Sequence, residues 1–222
     1  MTRFWTSTIY CLGLSLALAS PAYAQLGSRP AEDWITRLER PERVAALKTA
    51  EVVEKLGIKK GDVVADLGAG PGVFAWPLAK AVVPGGTVYA VEVDKGYIPH
   101  LEQRAREQGL TNVKPLLGEF EDPRLPEKVD LAFFHDVLHH IEKRAEYLKK
   151  VAGYLKPGGR IAVIELDATR PDASHADEPE QQVRKEQLET WMQAAGLRKV
   201  QDIPLYEDKW FVIYELAPPP AK

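Results

Sequence analysis

The residues whose spacing points most directly to chemistry lie between Val63 and Phe74. The apolar run from Val63 to Leu67 is typical of a strand that is buried on both faces. It leads into a turn with glycine at positions 68, 70 and 72, where the backbone can approach a ligand without a Cβ in the way. The helix expected next would direct its free N–H groups and the positive end of its dipole at that ligand. The stretch therefore predicts a binding site for a molecule that carries a nucleoside.

An acidic residue follows at the distance that ribose recognition requires. Glu92 stands at the carboxyl end of the next predicted strand, residues 87–94, and about 20 to 25 positions past the glycine turn. A carboxylate there can accept hydrogen bonds from both ribose hydroxyls. Asp94 is the alternative for this role, although we expect it to cap the helix that follows.

The spacing of the glycines separates two kinds of nucleotide-binding turn. A dinucleotide fingerprint, G-x-G-x-x-G, would need its third glycine at position 73, where the chain has Val73. The pattern present, Asp-x-Gly-x-Gly-x-Gly from Asp66 to Gly72, resembles the first motif of the class I S-adenosylmethionine (SAM)-dependent methyltransferases. A nicotinamide-dependent oxidoreductase is therefore disfavoured, and the resemblance implies SAM as the cofactor.

The resemblance also implies which residues bind the cofactor. The glycine turn would hold its methionine part and Glu92 its ribose. In the loop after a third predicted strand, residues 112–118, Glu119 would face the adenine amino group and Phe120 the adenine ring. The family more often has aspartate where Glu119 stands. The predicted cofactor-binding residues are Asp66, Gly68, Ala69, Gly70, Gly72, Glu92, Val93, Glu119, Phe120 and His135.

Three of the five histidines follow the fourth predicted strand, residues 129–134. The aspartate at the start of this strand and the sequence Val-Leu-His-His-Ile after it match the family pattern. Ligands of open α/β sheets lie outside the carboxyl ends of the strands, so this segment would border the reacting methyl group. We expect the catalytic residues to be His135, Asp136 and His139, because histidine titrates near neutral pH and can take a proton from a hydroxyl or amine.

Other roles for this segment stay open. Glu165 is a further candidate base, and His135 or Asp136 would alternatively contact the methionine end of the cofactor. We expect His140 to be structural. A metal site is disfavoured, and none is predicted, because the spacing of the possible ligands matches no known pattern. Those possible ligands are Asp136, Glu165, Asp167 and His175.

The order of the elements predicts the fold. Strands alternate with helices, which predicts one mostly parallel sheet in an α/β domain. The resemblance covers about residues 44–216 and implies a Rossmann-like three-layer sandwich, with seven strands in the order 3-2-1-4-5-7-6 and the last strand antiparallel. A single helix is expected over 42–56, a Leu-Lys-Pro-Gly-Gly turn before a fifth strand at 161–166, and a helix over 180–195. By the resemblance, the N-terminal helices would cover the cofactor.

The first residues predict export. An apolar stretch from Ile9 to Ala19 is followed by Ala22-Tyr23-Ala24, a signal-peptidase pattern, and is too short for a comfortable membrane span. We expect a signal peptide at 1–24, a linker and helix at 25–43, the methyltransferase domain at 44–216 and a disordered tail at 217–222. The predicted location is the periplasm, with an uncleaved inner-membrane anchor as the alternative. The single cysteine, Cys11, would leave with the signal peptide.

Composition narrows the choice of partner. A formal net charge of −3, with basic residues scattered among acidic ones, argues against a nucleic-acid partner. We expect a small-molecule or lipid methyl acceptor, and membrane contact only if the signal segment is not cleaved. The alternative function is that of a non-catalytic module that binds SAM or another adenosyl compound.

Overall fold

The computed structural model describes residues 30–170 and 178–217. The predicted signal peptide, His175 and most of the predicted tail lie outside the described residues. Three helices come first: α1 (Ala31–Leu38), α2 (Pro41–Ala46) and α3 (Thr49–Leu56). Within the described residues, no helix is long and apolar enough to cross a membrane.

Strands and helices alternate through most of the remaining chain. The strands are β1 (Val63–Leu67), β2 (Thr87–Glu92), β3 (Val113–Leu117), β4 (Val129–His135), β5 (Leu155–Leu166), β6 (Leu197–Ile203) and β7 (Lys209–Leu216). The later helices are α4 (Ala75–Val82), α5 (Tyr97–Glu107), α6 (Arg144–Gly153) and α7 (Lys185–Ala194). Single 3₁₀ turns occur at Leu138–His140 and Pro179–Gln181.

The sheet has the order β3-β2-β1-β4-β5-β7-β6. Its pairs are parallel except for those of β7, which runs antiparallel to both β5 and β6. Apolar side chains cover both faces: Phe133 packs with the cluster that includes α3, α4 and α5, while Phe134 packs with the cluster that includes α6 and α7. The predicted three-layer fold and strand order are confirmed.

The helix predicted over 42–56 is wrong, because two helices meet there. Leu47 is buried and Lys48 has a left-handed backbone, with φ of 48°. Contacts with a distant loop fix this break: the Tyr206 hydroxyl donates to the Leu47 carbonyl at 2.6 Å, and Lys48 Nζ donates to the Leu205 carbonyl at 2.9 Å. Local periodicity carries no signal for such contacts.

Two other boundaries also differ from the prediction. β5 begins at Leu155, which pairs with Val129, and the ladder then resumes where Arg160 pairs with Leu131. The Lys-Pro-Gly-Gly residues 156–159 therefore form an irregular insertion within the strand rather than a turn before it. The helix expected from 180 begins at Lys185, after one of the 3₁₀ turns.

Candidate active site

A cavity of about 560 Å³ opens at the carboxyl edge of the sheet. Its floor and walls come from the turn after β1, the end of β2, the loop after β3 and the segment after β4. Helices α1 and α2, together with Leu47, contribute its roof: Trp34, Arg37, Leu38, Arg43 and Leu47. The cavity lies where the sheet order reverses between β1 and β4, which is where open α/β sheets bind ligands.

The turn after β1 is tied to β2 by its backbone. The N–H groups of Gly68 and Ala69 donate to the Val91 carbonyl at 2.9 and 3.0 Å. Gly68, Ala69 and Gly70 all line the cavity. Both strand ends are thereby held at one wall of the site.

Glu92 joins the same two strand ends through its side chain. Its Oε2 accepts a hydrogen bond from Gly70 N at 2.8 Å, and its Oε1 accepts one from Val93 N at 2.9 Å. Burial raises the pKa of this carboxyl group, while the backbone N–H donors oppose the rise. Since a carboxylate has about four lone-pair sites, Glu92 retains acceptor capacity for a ligand. Glu92 and Val93 both line the cavity.

Asp66 holds a polar atom that the protein leaves unsatisfied. The residue is 3% exposed, and its Oδ2 has no hydrogen-bond partner among the described residues. Burial, and then the charge of Glu92, raise the pKa of Asp66 to about 7. Because buried polar groups are nearly always hydrogen-bonded, an unsatisfied oxygen in a cavity wall indicates a place for a ligand donor.

Gly72, predicted to bind the cofactor, is not among the residues that line the cavity. Its φ is +88°, and a Cβ built there would lie 2.4 Å from Cζ2 of Trp76 and 2.9 Å from Cδ2 of Leu101. Packing behind the turn therefore explains this glycine.

The loop after β3 forms the opposite end of the cavity. Phe120 lines it with 37% of its surface exposed, which is unusual for a large apolar side chain. Glu119 also lines the cavity and pairs with Arg124 at 2.5 Å. The structure thus brings both predicted adenine-side residues to the cavity.

Beyond β4, two of the predicted catalytic residues, His135 and Asp136, lie close to each other, and Asp136 also pairs with Lys209. Lys209 Nζ lies 2.7 Å from each carboxylate oxygen of Asp136, and Asp136 Oδ2 lies 3.5 Å from Nδ1 of His135. Burial alone would raise the pKa of Asp136, but the positive charge of a protonated His135, and then the charge and hydrogen bonds of Lys209, lower it. Burial lowers the pKa of His135 itself, so its imidazole is neutral at pH 7. With His135 neutral, the hydrogen bonds from Lys209 are what keep Asp136 ionised.

His139, the third predicted catalytic residue, lies outside the cavity lining. Its Nδ1 is 2.8 Å from Oε1 of Glu165, and both residues are buried. Two candidate bases thus pair with each other, below the cavity. His140, expected to be structural, instead lines the cavity. This differs from the prediction because the 3₁₀ turn, rather than a continuous strand or helix, sets the directions of the two side chains.

Some residues of the site carried no signal in the sequence. Lys209 opens β7 and pairs with Leu166 of β5, so only the antiparallel placement of β7 brings it to Asp136. Arg43 and Trp34 looked like ordinary residues of amphipathic helices.

Within the described ranges, no cluster of three or more histidine, cysteine or acidic side chains is placed to hold a metal ion.

Comparison with known families identifies this arrangement. A family model described as a methyltransferase domain matches residues 58–209. The chain belongs to this methyltransferase family. Its cofactor is SAM, which confirms the prediction from the glycine turn.

Curated relatives of this methyltransferase match it over part of their length. A demethylmenaquinone methyltransferase of Geobacillus sp. strain WCH70 is 27% identical over 116 residues, which are 52% of this chain and 50% of the relative. Aklanonic acid methyltransferase DauC of Streptomyces sp. strain C5 is 30% identical over 103 residues, which are 46% and 47% of the two chains. The chain therefore spans about half the length of these relatives.

Solved structures share the fold of this methyltransferase. A SAM-dependent methyltransferase from Aquifex aeolicus has a TM-score of 0.74 at 23% identity, covering 83% of this chain and 98% of the other. The magnesium protoporphyrin IX methyltransferase of Synechocystis PCC 6803, solved with bound SAM, has a TM-score of 0.59 at 18% identity and covers 78% and 80%. At these identities the likeness concerns the fold alone.

The residues of the cavity fit the cofactor. The unsatisfied Oδ2 of Asp66 and the remaining lone pairs of Glu92 are acceptors for the hydroxyl and ammonium donors of SAM. Phe120 offers an exposed apolar surface to an aromatic base.

Proposed function

We propose that this methyltransferase transfers the methyl group of SAM to an oxygen, nitrogen or carbon nucleophile of a small molecule or lipid, rather than of a nucleic acid. The observation that carries the proposal is one continuous cavity with two different ends. Asp66 and Glu92 form a carboxylate wall suited to the cofactor, and His135 and Asp136 lie at the end of the neighbouring strand β4.

The cofactor end is a set of hydrogen-bond acceptors. Glu92 accepts from the ribose hydroxyls, Asp66 accepts a donor at its free oxygen, and Phe120 packs on the base. Bound SAM supplies an electrophilic methyl group carried on a positively charged sulfur. Trp34 and Leu38 line the cavity from the roof, and the chain mainly has to align the two reactants. Such alignment contributes on the order of 7 to 11 kcal/mol to lowering a barrier.

The acceptor end provides a fixed carboxylate beside a neutral imidazole. Asp136 is held by Lys209 and accepts a hydrogen bond from the hydroxyl or amine of the acceptor, which orients its lone pair. His135 takes up the proton that a protonated nucleophile must lose, because a neutral imidazole can accept it. His139 keeps a positioning role in this proposal, since its Nδ1 faces Glu165.

The names of relatives suggest which acceptors to test first. Two relatives are named for demethylmenaquinone and for ubiquinone biosynthesis, and a third for aklanonic acid. Demethylmenaquinone, compounds of ubiquinone biosynthesis and aklanonic acid therefore head the acceptor panel.

The decisive experiment measures binding and turnover separately. Calorimetry should show that the purified protein binds SAM and S-adenosylhomocysteine (SAH) but not NAD. Glu92→Ala should weaken SAH binding by about tenfold or more, because it removes charge-assisted hydrogen bonds. Glu102→Ala is the matched control, since Glu102 is exposed on α5 and pairs with Arg106 on its own helix. No SAH binding by the wild-type protein, or NAD binding in its place, would refute the proposal.

Release of SAH in the presence of an acceptor distinguishes an enzyme from a binding module. The acceptor panel is incubated with SAM, and SAH is quantified by mass spectrometry. We expect SAH to form with at least one acceptor, and His135→Ala to reduce its rate without abolishing SAH binding. Tight SAM binding with no SAH formed from any acceptor would favour the non-catalytic alternative.

We also propose that the protein is exported with a cleaved signal peptide at 1–24. The Ala22-Tyr23-Ala24 pattern supports this. The test is fractionation of cells that carry a C-terminally tagged chain, followed by N-terminal sequencing, which should begin at Gln25. Copurified SAM should be measured in the same sample, because SAM is made in the cytoplasm. A full-length chain in the cytosolic fraction would contradict export, and a full-length chain in the membrane fraction would indicate the uncleaved anchor.

A further inference from the structure

The residues of the roof follow the order of the strands beneath them, from β2 past β1 to β4. Near β2, a Cβ built on Gly96 would lie 2.7 Å from Cβ of Ala31 in α1. Above the β1 turn, a Cβ built on Gly70 would lie 3.7 Å from Cδ1 of Leu38. Arg43 of α2 follows, and its charge interacts with that of Asp136 after β4. Arg43 therefore lies past the glycine turn, to which we assign the methionine part of the cofactor, and on the acceptor side.

The polar groups near Arg43 at this end of the cavity already have hydrogen-bonding partners of their own. Both oxygens of Asp136 accept from Lys209 Nζ at 2.7 Å. Glu165 faces His139 rather than the cavity. The Tyr206 hydroxyl is also engaged, because it donates to the Leu47 carbonyl. None of these groups offers Arg43 a free anion.

Arg43 is left with most of its hydrogen-bonding capacity unused. Among the described residues, its one hydrogen bond runs from Nη1 to the Leu38 carbonyl at 3.1 Å, whereas a guanidinium has five N–H donors. Arg43 is half-buried, and burial lowers its pKa. Lys209 is matched to Asp136 and His135 is neutral, so Asp136 does not neutralise Arg43, and the nearby Arg37 of the roof adds further positive charge.

We propose that Arg43 binds an acidic group of the methyl acceptor, so that the acceptor is an organic acid with a carboxylate or an equally acidic oxygen. The apolar lining contributed by Leu47, Phe74 and Val137 surrounds its hydrocarbon part. A guanidinium suits this role because its planar fork matches both carboxylate oxygens. The inference rests on the proposed methyl transfer, since it names the substrate class of the same site.

Paired probes test the charge of the acceptor by binding alone. The probes are benzoate, 4-hydroxybenzoate and 3,4-dihydroxybenzoate, each with its uncharged amide of nearly the same shape. Their affinities for the SAH-loaded protein are measured by ligand-observed NMR. We expect the wild-type protein to prefer at least one acid over its amide. Arg43→Gln should remove about tenfold of that preference or all of it.

Two further variants separate this role from a general effect on folding. Arg43→Lys keeps the charge but not the fork, so we expect it to retain part of the preference. Arg40→Gln is the matched control, because Arg40 is an exposed neighbour outside the cavity lining, and it should behave like the wild-type protein. SAH affinity, measured for every variant, shows that each is folded.

Each outcome decides between distinct alternatives. If the wild-type protein binds SAH but prefers no acid over its amide, or if Arg43→Gln keeps the preference, the inference is wrong while the proposed function stands. If Arg43→Gln weakens SAH but not 5′-methylthioadenosine, which lacks the amino-acid part, Arg43 holds the carboxylate of the cofactor and the assignment to the acceptor is overturned. If the wild-type protein does not bind SAH, the proposed function itself fails.

Discussion

At the level of single residues, Asp66 lowers the stability of the ligand-free protein and provides a hydrogen-bond acceptor for a ligand. Its carboxyl group is buried beside Glu92, and one oxygen has no partner among the described residues. The protein can lower the cost of this arrangement by protonating Asp66, which is why its pKa rises to about 7. A ligand donor would remove the remaining cost.

The raised pKa predicts how stability depends on pH. The folded state keeps a proton on Asp66 up to about pH 7, whereas the unfolded chain releases it near 3.8, so this residue lowers stability as pH rises between those values. Asp66→Asn, which has no such proton to release, should therefore gain on the wild-type protein as pH rises, and the difference in unfolding free energy should be larger at pH 8 than at pH 5 by about 3 kcal/mol. Urea denaturation of the ligand-free proteins at both pH values measures this difference.

An exposed aspartate provides the control for this prediction. Asp202 pairs with Lys185 at the surface, and such pairs contribute little, so Asp202→Asn should change stability by a similar small amount at both pH values. If Asp66→Asn gains no more on the wild-type protein at pH 8 than at pH 5, burial of the charged carboxylate is not the source of the cost. Asp66→Asn should also bind SAH more weakly than the wild-type protein does, because an amide is a poorer acceptor for a cationic donor.

At the level of elements, the turn from β1 to α4 is shaped by packing as well as by the ligand. Gly72 and Gly61 have nearly the same backbone φ, +88° and +89°. A Cβ on Gly72 would collide with the Trp76 ring, whereas a Cβ on Gly61 would meet nothing within 4 Å. The two positions therefore separate backbone strain from steric overlap.

Alanine substitution at both positions measures the two effects. Gly61→Ala should cost about 1 kcal/mol of unfolding free energy, because a residue with a Cβ is strained in this conformation. Gly72→Ala should cost about 3 kcal/mol, since overpacking against Trp76 adds to the same strain. Urea denaturation midpoints at constant m-value give the comparison. Equal costs for the two variants would show that the ring moves aside freely.

Elements differed in how far the sequence could predict them. The strands around the glycine turn were predictable because their signals are local: an apolar run, then Asp66, then glycines at fixed spacing. The break at Lys48 was not, because a carbonyl and a hydroxyl of the distant 205–206 loop hold it in place. The same difference between local signals and distant contacts determined which residues of the site could be predicted. Glu92 is the last residue of its strand, but the partner of Asp136 is Lys209, 73 residues further along the chain.

At the level of the whole molecule, the sheet is rigid and the roof is not. Strand β1 is buried along its whole length, whereas α1 and α2 contain no buried residue. The roof is held by the partly buried side chains Ala31, Trp34 and Ile35 of α1, which pack against the core, and by polar contacts, including Glu39 with His100 of α5 at 3.2 Å. Short helices without a fully buried residue open locally at low free energy, so the roof is the part of the described chain in which we expect ligand binding to slow opening most.

Hydrogen exchange measured by mass spectrometry tests this coupling between ligand and roof. SAH should slow exchange in residues 31–46, because bound ligand fills the cavity beneath Trp34 and Leu38 and opening the roof would break those contacts. Peptides from β6, at the far edge of the sheet, should exchange at the same rate with and without SAH. Glu92→Ala, at the same SAH concentration, should show less protection of the roof because less of the protein is bound. Protection confined to the glycine turn, with 31–46 unchanged under saturating SAH, would mean that these helices do not close over the cofactor.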